Sequence, residues 1–368
     1  MTSKPIRWGI LSAAQIARKN WQAIQLSGNA TVVAVASRDV ARSAKFIAEC
    51  QQQAPMAEMP DALGSYEELL ARPDVDAVYI PLPTGPRKAW VLKAAAAGKH
   101  VVCEKPCAVS AADLAEMIEA CRLHRVQFMD GVMFMHSRRL EAVRAVLNDP
   151  AAIGSVQRIS SAFSFRAPPE FFTDNIRAHS SLEPHGCLGD LGWYCIRWAL
   201  WTLGERLPLR VTGRLLNQSA ALAGAQSIPT EFSGELLFEG GASCGFYCSF
   251  LTHNEQWTHI SGTQGGLRVD DFVLPFFGDE AALEVQQAEF VVNGCDFHME
   301  ARRHRQKVSE YSNSHPTAQE TNLFRTFSAQ VASGVLNETW PEIALKTQRV
   351  MDACYESARA GGREINLG

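Results

Sequence analysis

The feature that most constrains this chain is an alternation of short apolar runs and amphipathic segments through residues 1–130. Arg7–Ser12 reads as a strand, Ala14–Leu26 as a helix and Thr31–Ser37 as a second strand. Ala41–Gln52 follows as a helix, Asp76–Pro81 as a strand, and Pro86–Ala97 as a helix closed by Gly98. His100–Glu104 is a further strand, Ala111–Arg125 a helix and Gln127–Asp130 a short strand. Strands alternating with helices of about ten to fifteen residues predict βαβ units on a parallel sheet. The run Thr31-Val-Val-Ala-Val-Ala is apolar at consecutive positions, as a strand covered by helices on both faces requires. Residues 1–130 are therefore expected to form a doubly wound α/β domain of the Rossmann type.

Beyond residue 150 the rhythm changes, which fits the two domains that a 368-residue chain favours. Val156–Phe165, Arg210–Leu216, Gly234–Glu239, Ser243–Leu251, Thr258–Ser261 and Leu267–Val273 read as strands with few helices between them. Cys244, Phe246, Cys248 and Phe250 share one side, and Ser243, Gly245, Tyr247 and Ser249 the other. That period of two predicts an open, mostly antiparallel sheet of about six strands with helices on one face. Residues 131–340 are thus expected to be an α+β substrate-binding and dimerisation domain. Leu188–Leu203 is expected to be its one early helix and Glu300–Ser314 an exposed loop. Pro341–Ala360, opened by proline and stopped by Gly361-Gly362, reads as a helix returning to the first domain.

Composition narrows the partners. Lys+Arg 35 against Asp+Glu 39 leaves a net charge of −4, so there is no basic excess to attract nucleic acid or an anionic membrane. No apolar run approaches a membrane span. The stretch Ile6–Ala17 is broken by Arg7 and Gln15 and lacks the form of a signal peptide. The ten cysteines are scattered without zinc-type spacing, so the expectation is reduced thiols in a cytoplasmic protein and no metal.

Three places carry chemistry. In the first strand–turn–helix unit, where a dinucleotide fold sets G-x-G-x-x-G against a pyrophosphate, the glycine slots hold Ser12, Ala14 and Ala17. Small residues still permit close approach, and an ordinary tight turn is the competing reading. Where an NAD site sets a carboxylate, at the end of the second strand, stand Ser37 and Arg38, with Arg42 one turn on. A hydroxyl and guanidinium there suit a 2′-phosphate, which favours NADP over NAD; solvated surface arginines are the bland alternative. Past the strand His100–Glu104 comes Lys105-Pro106, whose proline holds the lysine extended at the ligand crevice. Asp190 and Tyr194, four apart, share a helix face: a carboxylate to hold a hydroxyl beside a phenol to move its proton. An N-cap-like aspartate and a half-buried core tyrosine are the competing reading.

Together, Ser12–Ala17, Glu104-Lys105-Pro106 and Asp190-x-x-x-Tyr194 resemble the Gfo/Idh/MocA oxidoreductase family. Ile16-Ala-Arg-Lys-Asn-Trp21, Tyr79-Ile-Pro-Leu-Pro-Thr84, Ala97-Gly-Lys-His100, Asp130-Gly-Val-Met and Gly189-Asp-Leu-Gly-Trp-Tyr194 are similar to its dimeric dihydrodiol dehydrogenase and D-xylose dehydrogenase branch, plant relatives included. The resemblance implies that Lys105 is the catalytic lysine, Tyr194 the acid–base and Asp190 the substrate-orienting carboxylate. It implies that Glu104 lies against the nicotinamide-side ribose and that Ser12, Ala13, Ala14, Gln15 and Ile16 form the pyrophosphate turn. Ser37, Arg38 and Arg42 would line the 2′-phosphate pocket, and Pro81, Leu82 and Thr84 the loop along the dinucleotide. Arg87 stands where the family often has a histidine at the cofactor, and His136 and Arg177 fall at substrate-side positions.

The implied activity is hydride transfer between NADP and a hydroxyl-bearing carbon of a sugar, polyol or cyclic diol, in a homodimer joined through the open sheet face. A non-catalytic nucleotide sensor of the same fold would show broken catalytic positions. An adenosyl-dependent enzyme would want an acid where Ser37-Arg38 stands.

Overall fold

The computed structural model describes residues 4–219 and 226–368. The chain forms two compact units, Met1–His136 with His179–Pro184 and Asn313–Arg349, and Ser137–Ala178 with His185–Ser312 and Val350–Gly368. The first holds the strands β1 (Ile6–Leu11), β2 (Ala30–Ala36), β3 (Asp61–Leu63), β4 (Ala77–Ile80), β5 (His100–Cys103) and β6 (Phe128–Asp130). Its helices from the same stretch are α1 (Gln15–Leu26), α2 (Val40–Gln53), α3 (Tyr66–Leu70), α4 (Thr84–Ala96) and α5 (Ala111–Leu123). All six strands run parallel in the order β3-β2-β1-β4-β5-β6. The order reverses between β1 and β4, and such a reversal opens a ligand crevice at the carboxyl ends of the strands.

Every residue of β4 is buried, and β1 is buried from Trp8 to Leu11, so both faces of the sheet are covered. On one side α3 closes on β1: a Cβ at Gly9 would lie 2.5 Å from the Leu69 side chain, so the glycine gives that leucine room against the strand. A helix from late in the chain, Gln319–Ser333, supplies Phe324 and Phe327 to the core around Trp8. Trp8 meets Phe324 edge-on at 5.1 Å and donates through Nε1 to Ser328 Oγ at 3.2 Å.

The second unit contains α6 (Arg139–Asn148), β7 (Val156–Ser164), α7 (Phe171–Asp174) and α8 (Trp193–Thr202). Strands β8 (Arg210–Gln218), β9 (Pro229–Leu237), β10 (Ser243–Ser249), β11 (Glu255–Gly262), β12 (Gly266–Val269), β13 (Glu280–Asn293), β14 (Asp296–Ser309) and β15 (Ile365–Asn366) complete its sheet. Helix α9 is the Gln319–Ser333 helix above, and α10 (Thr339–Arg359) begins in the first unit and ends in the second. The sheet has nine strands, β14-β13-β12-β11-β7-β10-β9-β8-β15, antiparallel except for the pair β7·β10. Cys244, Phe246, Cys248 and Phe250 are buried as their alternation predicts. Ser249, expected on the open face, is buried too, its hydroxyl accepting from the Leu251 amide.

Three local expectations need correction. Glu300–Ser314 is not a loop: through Ser309 it belongs to β14, half of a ribbon exposed on both faces, so no burial alternation marks it. Leu188–Leu203 is a π-helical turn, Leu188–Gly192, leading into α8. The strand placed at Leu267–Val273 is Gly266–Val269.

Candidate active site

In the first unit the nucleotide turn is built without glycine yet keeps glycine's backbone. Ser12 has φ 141°, a conformation that L side chains rarely adopt, so strain is stored where the motif wants its first glycine. Ala14 precedes α1 in an extended conformation with no side-chain cap, and the first turn of α1 carries no acidic residue. The amides at Gln15 and Ile16 thus open a helix whose positive dipole end meets no carboxylate of its own, which fits a pyrophosphate.

At the end of β2, Ser37 is buried, donating through Oγ to the Asp39 carbonyl at 2.6 Å and accepting from Ser43 Oγ at 3.0 Å. Asp39 caps α2, its carboxylate accepting from the Ala41 amide at 2.9 Å. Arg38 and Arg42 are exposed. The residue that sequence reading missed is Tyr66, at the start of α3. Burial raises the affinity of its phenol for the proton, while Arg38, Ser12 and Arg42 nearby pull the other way. Its ring stands edge-on to Trp90 at 4.7 Å. The signal that could have found it is a capping box: Ser65 Oγ accepts from the Glu68 amide at 3.1 Å, which starts a helix on Tyr66. Ser12, Arg38 and Arg42 are thus close enough to Tyr66 to act on its phenol.

The loop after β4 is held from below. Leu82 is buried, and Thr84 gives both its amide and its hydroxyl to Glu183, at 3.0 and 2.6 Å. Arg87 is 2% exposed, and its guanidinium donates to the carbonyls of Leu82, Glu104 and Pro106. Those carbonyls occupy the side chain, which ties the Pro81–Thr84 loop to the Glu104–Pro106 step. At that step Glu104 Oε1 accepts from Tyr79 Oη at 2.6 Å, and Oε2 from the Lys105 amide at 3.2 Å. Lys105 is half-buried, and its bond to Pro106 is cis. His136 ends a short 3-10 turn, its ring edge-on to Trp340 at 6.4 Å.

In the second unit Asp190 lies inside the π turn, a rare helical form often found at functional positions. Its Oδ2 meets Arg177 Nε at 3.0 Å, the carboxylate half-buried and the arginine more exposed. Tyr194 opens α8, is 5% exposed and packs edge-on against Phe163 at 5.5 Å. His185, buried just before the turn, is held neutral by its lack of solvation, its pKa lowered to about 4. Among the described residues no cluster of three His, Cys, Asp or Glu side chains has the arrangement of a metal site. No helix among them is long and apolar enough to cross a membrane.

The strand order and the β1–α1 turn define a dinucleotide-binding fold. Residues 6–132 match the model of the oxidoreductase family with an NAD-binding Rossmann fold, and residues 141–268 match the GFO/IDH/MocA C-terminal domain. The chain is 32% identical over 358 residues to D-xylose 1-dehydrogenase (NADP(+)) 2 of Haloferax volcanii, covering 96% of this chain and 98% of that protein. It is 31% identical over 293 residues to mouse trans-1,2-dihydrobenzene-1,2-diol dehydrogenase, covering 78% of each. Its fold matches a 3-ketoreductase from Actinomadura kijaniata, solved in complex with TDP-benzene and NADP, at TM-score 0.78 and 23% identity, covering 96% of this chain and 98% of that one. The chain belongs to the Gfo/Idh/MocA family of oxidoreductases, as its motifs imply.

Proposed function

We propose that this protein is an NADP-dependent oxidoreductase that moves a hydride between the nicotinamide and a hydroxyl-bearing carbon of a sugar, polyol or cyclic diol. The observation that carries the cofactor reading is the end of β2, where Arg38 and Arg42 stand exposed with Ser12 and Tyr66 nearby. Two guanidiniums and two hydroxyls suit a doubly charged 2′-phosphate, and the neighbouring carboxylate, Asp39, is turned to the N-terminus of α2, where it accepts from the Ala41 amide. When bound, NADP+ supplies the hydride acceptor. The backbone of Ser12, Ala13, Ala14, Gln15 and Ile16 would hold the pyrophosphate, Ser37 would shape the phosphate pocket from within, and Pro81, Leu82 and Thr84 would flank the dinucleotide. Arg87 acts beneath that loop by ordering its carbonyls, and Glu104 accepts from the nicotinamide-side ribose.

In the oxidising direction the substrate carbon gives up its hydride while its hydroxyl proton passes to Tyr194. The Lys105 ammonium favours the ionised phenol and polarises the reacting oxygen. Asp190, oriented by Arg177, would accept from a neighbouring hydroxyl, and His136 is the further substrate-side residue the family resemblance implies. The sugar and diol substrates of the relatives fit this division of labour. The ten free thiols, nine of them buried, fit a reducing cytoplasm.

The open sheet face of the second unit is the proposed dimer surface. Arg158, Ser160, Gly245, Tyr247 and Trp257 line a depression of about 470 Å³ there. Arg158 pairs with Glu235, and Tyr247 donates to Glu231.

Titration with NADPH and NADH tests the cofactor reading. Arg38→Ala with Arg42→Ala should weaken NADPH by about thirtyfold, the worth of charged hydrogen bonds to phosphate, and leave NADH unchanged. Equal loss for both would overturn it.

A further inference from the structure

Tyr79 breaks the pattern of its strand. β4 is buried throughout, and a strand covered on both faces calls for Val or Ile; a phenol there must find a partner. Its ring is fixed edge-on against Phe324 of α9 at 5.7 Å. Its hydroxyl lies between two groups: Asn20 Nδ2 at 2.5 Å and Glu104 Oε1 at 2.6 Å. The amide nitrogen can only donate, so the phenol oxygen accepts there, and its single proton must go to Glu104. The network therefore has one direction, from Asn20 of α1, through β4, to the carboxylate at the end of β5.

That carboxylate is confined on its remaining sides. Oε2 takes the Lys105 amide at 3.2 Å, and Gly131 packs so close that a Cβ there would lie 3.2 Å from Oε1. Two lone-pair sites are thereby filled by the protein, and the others stay available to an incoming donor. Replacing Tyr79 by an apolar residue would leave Glu104 with only a neighbouring main-chain amide to fix its rotamer.

We propose that Tyr79 is a positioning residue, which, itself oriented by Asn20, holds Glu104 in the rotamer that accepts from the nicotinamide-side ribose. The inference rests on the ribose role given to Glu104 above. It assigns Tyr79 to one half of the cofactor only: the half carrying nicotinamide, not the half carrying the 2′-phosphate.

Two probes separate the halves: NADPH, and adenosine 2′,5′-bisphosphate, which lacks the nicotinamide riboside. Calorimetric titration of the full chain should show Tyr79→Phe weakening NADPH by about tenfold, the worth of one hydrogen bond to a charged acceptor, with the bisphosphate unchanged. Glu104→Gln should weaken NADPH at least as much, and the double variant should be no weaker than Glu104→Gln alone, as groups acting through one another are non-additive. Losses that add, a bisphosphate that weakens in parallel, or a Tyr79→Phe protein that binds NADPH normally would each overturn the inference. Glu104→Gln binding NADPH normally would instead overturn the ribose role. Should Tyr79→Phe fail to fold, Asn20→Leu keeps the Tyr79–Glu104 bond but frees its direction. A loss of about threefold confined to NADPH supports the inference, and no loss or a loss shared with the bisphosphate contradicts it.

Discussion

Two irregular helix entrances, one in each unit, carry the candidate groups by opposite means. At the β1–α1 turn the useful atoms are backbone amides, and the side chains Ser12, Ala13 and Ala14 matter mainly by being small. At the Leu188–Gly192 turn the useful atoms are side chains, Asp190 within the turn and Tyr194 just after it, with Arg177 braced against the carboxylate. A site made of main chain tolerates substitution as long as the path of the backbone survives. One made of side chains does not. The same contrast explains how serine and alanine can stand in the glycine slots of the first turn while its backbone path is kept.

The largest effect that would sharpen the comparison is at Lys105, the first-unit side chain proposed to act on the reacting oxygen. Lys105→Met should reduce turnover by about a thousandfold, near 4 kcal/mol, while NADPH affinity stays within about twofold. Pre-steady-state turnover beside a binding titration checks it, and turnover within about tenfold of the native rate would remove the lysine from the mechanism.

Next comes Asp190→Asn, which keeps the shape of the turn and removes the charge. A fall of about a hundredfold in kcat/KM for the sugar or diol, with NADPH binding unaltered, is expected from losing one charged contact to the reacting substrate. Loss of cofactor affinity would break the division between a main-chain and a side-chain site.

A smaller effect lies beside that turn and reads out as stability. His185 is buried with its pKa lowered to about 4, so between that value and about 6.5 the unfolded chain binds a proton that the folded one refuses. Stability is therefore lost as pH falls through this window, by roughly 1.4 kcal/mol per pH unit from this group. Urea unfolding at pH 7 and pH 5 should show His185→Gln losing about 2 kcal/mol less than the native chain over that interval. Equal losses would mean that the imidazole is solvated or paired.

The smallest expected change is at Ser12. Glycine relieves the positive φ and gives up only the serine hydroxyl, so Ser12→Gly should shift stability by about 1 kcal/mol or less, in the stabilising direction. NADPH affinity should move by less than about threefold, and a larger loss would show that the serine hydroxyl, not the main chain, holds the phosphate.

How much could be read in advance follows from the same contrast. β1, β2, β4 and β5 are contiguous apolar runs because helices cover both faces, and their ends, Ser12, Ser37, Pro81 and Glu104, come into view with them. Tyr66 does not, because what brings it to Ser12 and Arg38 is strand β3 pairing beside β2, which three residues of Asp-Ala-Leu do not announce. Helix α9 hides for another reason. Leu323, Phe324 and Phe327 have helical spacing, yet Gln319, Glu320, Thr321 and Ser328 are buried although polar, which blurs the apolar face. The β13–β14 ribbon is invisible to alternation because its outer half has solvent on both sides. The π turn escapes periodicity altogether: its winding does not follow the 3.6-residue repeat that marks an α-helix.

The central claim is that this chain carries a hydride from a substrate carbon to NADP. A panel of aldoses, inositols and cyclic diols, deuterated at each oxidisable carbon, can be incubated with the protein and NADP+ and the reduced cofactor weighed by mass spectrometry. The account predicts NADPH bearing the deuterium with at least one member of the panel. Reduced cofactor without the label, or none formed from any member, would contradict it.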